Sequence, residues 1–182
     1  VLQLPFLSFI LVMKIYRNCL TESLCDECID EFNSIKGEKV WGVSSMFWEP
    51  GLKVGVVGDC ISTFLNENLS KKVENELQKI LPEYDSLMIQ LYCWQPNSAI
   101  SIHDDYIWKF GATVYLNRDW DANWGGIFLW QENDHDVENG LFSGFTPSYN
   151  TIVINDSKQR HMVTPILPKC DESRLTIQIW GQ

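Results

Sequence analysis

The sequence predicts a mainly β domain supported by N-terminal helices, an α+β arrangement in which helices back a β-sandwich or barrel. Three observations carry that expectation. Helical periodicity is confined to the segments before Pro82. From Leu87 onward the apolar pattern alternates with period two. Hairpin-like turns, rather than long helical crossovers, separate the later strands, which argues against a doubly wound parallel sheet.

The elements follow in order. Met13 to Tyr16 suits a short strand. Thr21 is placed to cap a helix running to about Phe32, with Glu22 in its first turn and Leu24, Cys28 and Phe32 on one face. Residues 40–48 are apolar enough for a strand, which Glu49, Pro50 and Gly51 stop. Lys53 to Val57 suits another strand or the start of a loop, and Ser62 to Leu65 a single turn. Ser70 is placed to cap a second helix with Val73, Leu77 and Ile80 as its buried stripe, ended by Pro82. In the next run Leu87, Ile89, Leu91 and Cys93 point one way, and Met88, Gln90, Tyr92 and Trp94 the other. A turn at 95–98 leads into a strand on which Ser101, His103 and Asp105 share a face. Further strands are expected over 111–116, 126–130, 151–155 and 175–180, with a long polar excursion over 131–146.

At 182 residues the chain suits one domain. Residues 1–12 are apolar, too short to span a bilayer and unlike a signal peptide. They are expected to be an accessory or non-native extension, with Met13 as a natural start. The formal charge of -10 disfavours nonspecific binding to nucleic acid or to an anionic membrane. Of the six cysteines, Cys25 and Cys28 have the spacing of half a zinc site or a redox pair. No second close pair follows, so reduced helix thiols and a cytoplasmic location are expected. No internal repeat, glycine-rich phosphate loop or serine nucleophile elbow is present.

Chemistry concentrates in His103 and Asp105, followed downstream by His161 and Arg174. Two imidazoles and a carboxylate can hold a divalent iron while leaving positions open. A guanidinium on a later strand can clamp the far carboxylate of an organic acid bound at that iron. Arg174, Thr176, Gln178 and Trp180 share one strand face, so Arg174 can point inward and Trp180 can pack near the metal. Tyr92, inward on its strand, and Thr113 are the hydroxyl candidates for the same acid. Asn117 and Asp156 suit turn-shaping roles, Asp104 is expected to face away, and His135 to lie at the surface.

These motifs resemble the iron(II)- and 2-oxoglutarate-dependent oxygenases, particularly their prolyl-hydroxylase branch. The matching segments are His103-x-Asp105, Ala112 to Asn117, Asp119-Trp120-Asp121, Gly125-Gly126, Pro147 and Asn155-Asp156. Arg160-His161-x-Val163-x-Pro165 and Arg174-x-x-Ile177-x-x-Trp180 complete the series. The resemblance covers most of the chain and is specific mainly from residue 88 onward. It implies a double-stranded β-helix, also called a cupin-like jelly roll, with His103, Asp105 and His161 as iron ligands. It implies 2-oxoglutarate and dioxygen as co-substrates, with room for ascorbate as a stimulant. With Asp105 present no halide site is vacated, so hydroxylation is expected.

A peptidyl proline is the leading expected substrate, followed by a free amino acid or small metabolite. The chain ends two residues after Trp180. The C-terminal helix that covers substrate in the oxygen-sensing members of the family is therefore not expected. The 131–146 excursion, residues 47–51 and Trp108, Trp124 and Trp130 are candidates for the rim of the site. A cupin-like binding module without turnover is the competing expectation. Oligomeric state is left open.

Overall fold

A computed structural model describes residues 13–36, 56–58 and 60–182. The strand expected at 40–48, the stop at 49–51 and the extension at 1–12 lie outside the described residues.

Strand β1 (Lys14–Arg17) leads into helix α1 (Glu22–Lys36), which runs a turn past Phe32. Leu24, Cys28 and Phe32 are its buried face, as their spacing predicts. Strands β2 (Val56–Val57) and β3 (Cys60–Phe64) precede helix α2 (Glu67–Leu77). Three expectations are corrected here. Ser62 to Leu65 is not a turn: Cys60–Phe64 pairs antiparallel with residues 90–94. Helix α2 begins a turn before Ser70, because the Asn66 side chain accepts a hydrogen bond from Leu69 N at 3.0 Å and caps it. The Ser70 hydroxyl lies inside the helix and donates back to Leu65 O. The helix ends at Leu77, before Pro82 is reached.

The remaining elements are β4 (Leu87–Trp94), β5 (Ala99–His103), β6 (Phe110–Tyr115), a 3-10 turn (Ala122–Trp124) and β7 (Phe128–Trp130). Helix α3 (Asp134–Asn139), β8 (Ser143–Phe145), β9 (Thr151–Asp156), β10 (His161–Val163) and β11 (Arg174–Gly181) follow. The 131–146 excursion is therefore ordered. Asn133 caps α3, Gly140 ends it in the left-handed conformation, and β8 pairs with β7.

Two antiparallel sheets result, one ordered β1-β9-β6-β11-β4-β3 and the other β2-β5-β10-β7-β8. Alternation in the larger sheet divides its residues between two cores. Ile89, Leu91, Cys93, Ala112, Val114, Ile152, Ile154, Ile177 and Ile179 pack under α1 and α2 with Leu24, Val73 and Leu77. Each fully buried aliphatic side chain there contributes about 1.5–3 kcal/mol relative to exposure. Tyr92, Trp94, Tyr115, Val153 and Trp180 face the smaller sheet and meet Ile100, Phe128, Trp130 and Val163. One face of the large sheet thus anchors the helices, while the other forms the wall of a pocket between the sheets. The cysteines are free, and Cys25 and Cys28 lie in the helix-side core, where burial raises their thiols to about 11 and about 12.

Candidate metal centre and its pocket

His103 ends β5, and His161 begins β10 directly opposite it in the antiparallel register. Side chains at paired positions leave the same face of a sheet, and the two rings lie 4.2 Å apart between centroids. Asp105 stands two residues past His103 in the loop, where its backbone N donates to Ser157 O at 2.9 Å. Its Oδ2 lies 3.6 Å from His161 Nε2. The ligand atoms of His103, Asp105 and His161 all fall within 4.8 Å of one another, forming a triad that can chelate a metal ion. Asp104 lies outside this cluster, and His135 is exposed on α3.

Each histidine is oriented from behind. His103 Nδ1 meets Ser101 O at 2.7 Å, and His161 Nδ1 meets Gln159 O at 2.8 Å. A carbonyl only accepts, so Nδ1 carries the proton in both rings and Nε2 keeps its lone pair for the metal. Phe128 stacks on His161 at 5.2 Å and holds its plane. Burial, followed by the neighbouring His161, pushes the His103 imidazole down to about 4 against the pull of Asp105. At neutral pH His103 is therefore in the neutral form that a metal requires.

The triad opens onto a pocket between the two sheets. The larger sheet contributes Tyr92, Trp94, Thr113, Asn155, Arg174, Gln178 and Trp180 to the lining; the smaller contributes Ile100, Phe128 and Val163. The strand-face reading of Arg174 and Trp180 therefore agrees with the placement. Thr113 donates to Gln178 Oε1 at 2.8 Å. Trp180 contacts Tyr92 and Trp108 at 5.8 and 6.1 Å between centroids. Trp108, Trp124 and Trp130 do not line the pocket; Trp108 backs Trp180, Trp124 packs edge-on against Trp120, and Trp130 is buried next to Phe128.

Arg174 is 2% exposed, and among the described residues it has no ion pair. Its guanidinium lies 5.0 Å over the Tyr115 ring. Among the described residues Arg174 Nε and Thr176 Oγ1 are buried without a hydrogen-bond partner, and the buried Tyr115 Oη has only the Arg174 guanidinium within reach. Register places Thr176 beside both Tyr115 and Tyr92. Native proteins rarely leave such groups unsatisfied, and an unpaired buried cation is costlier still. An anionic acceptor fits them. Tyr115 and Thr176 lie on the inward faces that alternation assigns to their strands, Tyr115 two residues after Thr113 and Thr176 two after Arg174. That alternation is the only sequence signal that identifies them.

Among the described residues no helix is long and apolar enough to cross a membrane. A family model described as the 2OG-Fe(II) oxygenase superfamily matches residues 89–182, just over half of the chain. No curated protein matches it. Among solved structures, a Pseudomonas putida prolyl-4-hydroxylase is similar with a TM-score of 0.71 at 14% identity, covering 94% of this chain and 92% of that one. A Trichoplax adhaerens prolyl hydroxylase, in complex with a hypoxia-inducible-factor oxygen degradation domain peptide fragment, gives 0.70 at 16%, covering 93% and 82%. The nogalamycin-biosynthesis epimerase SnoN, described as non-heme and alpha-ketoglutarate-dependent, gives 0.65 at 11%, covering 95% and 78%. At these identities the likenesses establish the fold alone.

Proposed function

The chain belongs to the 2OG-Fe(II) oxygenase superfamily, and from that premise we propose that it is an iron(II)- and 2-oxoglutarate-dependent dioxygenase hydroxylating a peptidyl prolyl residue. The observation that carries the reading is one pocket holding both a His-Asp-His triad and a buried Arg174 that has no ion pair among the described residues. We read residues 13–182 as one domain whose two sheets form a double-stranded β-helix.

In this reading His103, Asp105 and His161 hold iron(II), and Arg174 receives the distal carboxylate of 2-oxoglutarate. Charge supports that co-substrate. Iron(II), the Asp105 carboxylate and the Arg174 guanidinium leave two net positive charges beside neutral imidazoles, which a dicarboxylate balances. Tyr115 beneath the guanidinium, and Thr176 paired with it across the strands, add buried hydroxyls that no other described residue satisfies. Tyr92 lines the wall from the same strand face as Trp94, and the Thr113–Gln178 pair holds a fixed polar edge beside it. When bound, iron with 2-oxoglutarate and dioxygen supplies the oxidising chemistry, as cofactors do for reactions that side chains cannot perform. The protein's part is to keep three donors on one side, hold the acid at its far end and line the remaining walls with Trp94, Phe128 and Trp180, which exclude water.

The prolyl substrate is supported by the prolyl hydroxylases among the similar folds and by the aromatic wall, whose faces suit a saturated ring. The similar epimerase fold makes a different oxidative outcome on a small molecule the second reading.

The test is an anaerobic titration of the iron(II)-loaded protein with 2-oxoglutarate, watching for the weak visible charge-transfer band of the chelate. The band is expected in the native chain and absent in His103→Ala. Its absence from folded, iron-containing native protein overturns the oxygenase reading. Mass analysis of proline-containing peptides turned over in air then separates a prolyl substrate from a small-molecule one.

A further inference from the structure

Asn155 sits on β9 opposite Gly111 of β6. Its neighbours Ile152 and Ile154 point to the helix-side core, so Thr151, Val153 and Asn155 face the other way, towards the pocket. An amide is an unexpected occupant there. At 3% exposure it has lost its water, and burying it is unfavourable unless hydrogen bonds replace that water. The replacement is specific: Asn155 Nδ2 donates to Asp105 Oδ2 at 3.0 Å and, more weakly, faces Asp156 O at 3.4 Å. Both partners only accept, so the amide has one orientation that satisfies it.

The oxygen it holds is the one nearest His161 Nε2, at 3.6 Å. A carboxylate oxygen has a second lone pair, so Oδ2 can accept from Asn155 and still face a metal. Room for this contact comes from Gly111, where a Cβ would stand 2.5 Å from Asp105 Oδ2 and 3.0 Å from the Asn155 amide. The end of β9 thus grips Asp105 twice. Ser157 O accepts from its backbone N–H, and Asn155 donates to its side chain. Asp105 is the triad member on a loop rather than a strand, so it is the ligand most in need of such support.

Resting on the oxygenase reading of the triad, we propose that Asn155 is a positioning residue: it fixes the carboxylate plane of Asp105 and its mode of metal coordination, within a space that Gly111 keeps clear. Partners of this kind are worth about 10–100-fold in metal affinity.

The experiment uses the full chain and a metal alone, so that 2-oxoglutarate turnover plays no part. Mn(II) affinity is measured by competition with a chromophoric chelator for the native protein, Asn155→Leu, Asn155→Ser and His103→Ala. Visible d–d spectra of the Co(II)-loaded forms and denaturant unfolding of the metal-free forms accompany it. Leucine keeps the volume without a donor; serine keeps polarity without the reach. Both are expected to bind Mn(II) roughly 10–100-fold more weakly and to change the Co(II) spectrum, while the metal-free chains still unfold cooperatively from a folded state. If Asn155→Leu does not fold, Asn155→Ser carries the same expectation. Native affinity and an unaltered Co(II) spectrum in a folded variant overturn the assignment. A native chain that binds no Mn(II) overturns the oxygenase reading and this one with it.

Discussion

Replacing Arg174 by Gln removes the pocket's only Lys or Arg among the described residues while keeping a polar side chain. In the proposed complex this strands one carboxylate of 2-oxoglutarate in a buried setting. Removing one partner of a buried charge pair costs about 3–5 kcal/mol, and the glutamine amide regains about 1 kcal/mol through a neutral hydrogen bond. A net loss of about 2–4 kcal/mol corresponds to roughly 30- to 1000-fold weaker binding. Stability of the ligand-free protein should move differently. The guanidinium at 2% exposure, with no ion pair among the described residues, is a liability there, offset by its position over Tyr115, which is worth about 0.5–2 kcal/mol. The ligand-free variant is therefore expected to unfold within about 1 kcal/mol of native or later. Arg174→Lys keeps the charge but loses the planar fork, and should fall between. The assay is the anaerobic titration, paired with denaturant unfolding. A dissociation constant for 2-oxoglutarate within about threefold of native refutes the clamp. So does a loss of stability that parallels the loss of affinity.

The other predictions concern the triad's packing, its protonation and the helix-side core. Gly111→Ala puts a methyl against Asp105 Oδ2; Mn(II) affinity measured by chelator competition should drop about 10-fold or more in a folded protein. Folding depresses the His103 imidazole from its usual value near 6.5 to about 4. In that window the unfolded chain binds a proton that the folded metal-free chain refuses, so stability is constant above about pH 6.5 and falls as the pH drops towards 4. His103→Gln should flatten that part of a urea-midpoint profile; an identical slope refutes the assignment. Leu77→Ala, in the core under α2, should cost about 2–5 kcal/mol in urea unfolding. At temperatures where it remains folded, its affinity for 2-oxoglutarate should be native, since the pocket lies on the opposite face of the large sheet.

How much of this was legible in the sequence depends on which geometry each residue needs. Arg174 and Trp180 are placed by alternation along a strand, and period two is visible in one stretch of chain. The division of Leu87–Trp94 between helix-side and pocket-side residues was readable for the same reason. The same alternation puts Ser101 with His103 and Asp105 and fails there: a register shift in the β5–β10 pairing brings Ile100 and His103 to the pocket together, Ser101 is exposed, and Asp105 follows the strand in a loop. Errors fell where a local signal had a competitor. A stripe of Val73, Leu77 and Ile80 makes Ser70 the expected cap, yet Leu69 opens the buried face and Asn66 caps the helix. Ser62 to Leu65 reads as a single turn, but Cys60–Phe64 is a strand held by pairing with β4, and among the described residues it stands at the edge of its sheet.

The layer behind the ligands needs a different kind of information. Asn155 reaches Asp105 because β9 lies in register with β6 so that Asn155 faces Gly111; Thr176 meets Tyr115 because β11 lies in register on the other side of that strand. A one-residue slip in either pairing would send those side chains to the helix-side core. Register is set by contacts between strands tens of residues apart, and one sequence does not spell those out. The pocket is thus built at two levels. Each strand presents its own chemistry, while the sheet decides which chemistries meet. The residues that determine whether Asp105 and Arg174 are held rigidly belong to the second level, so disrupting register at β6 should impair metal and acid binding together even with every ligand intact.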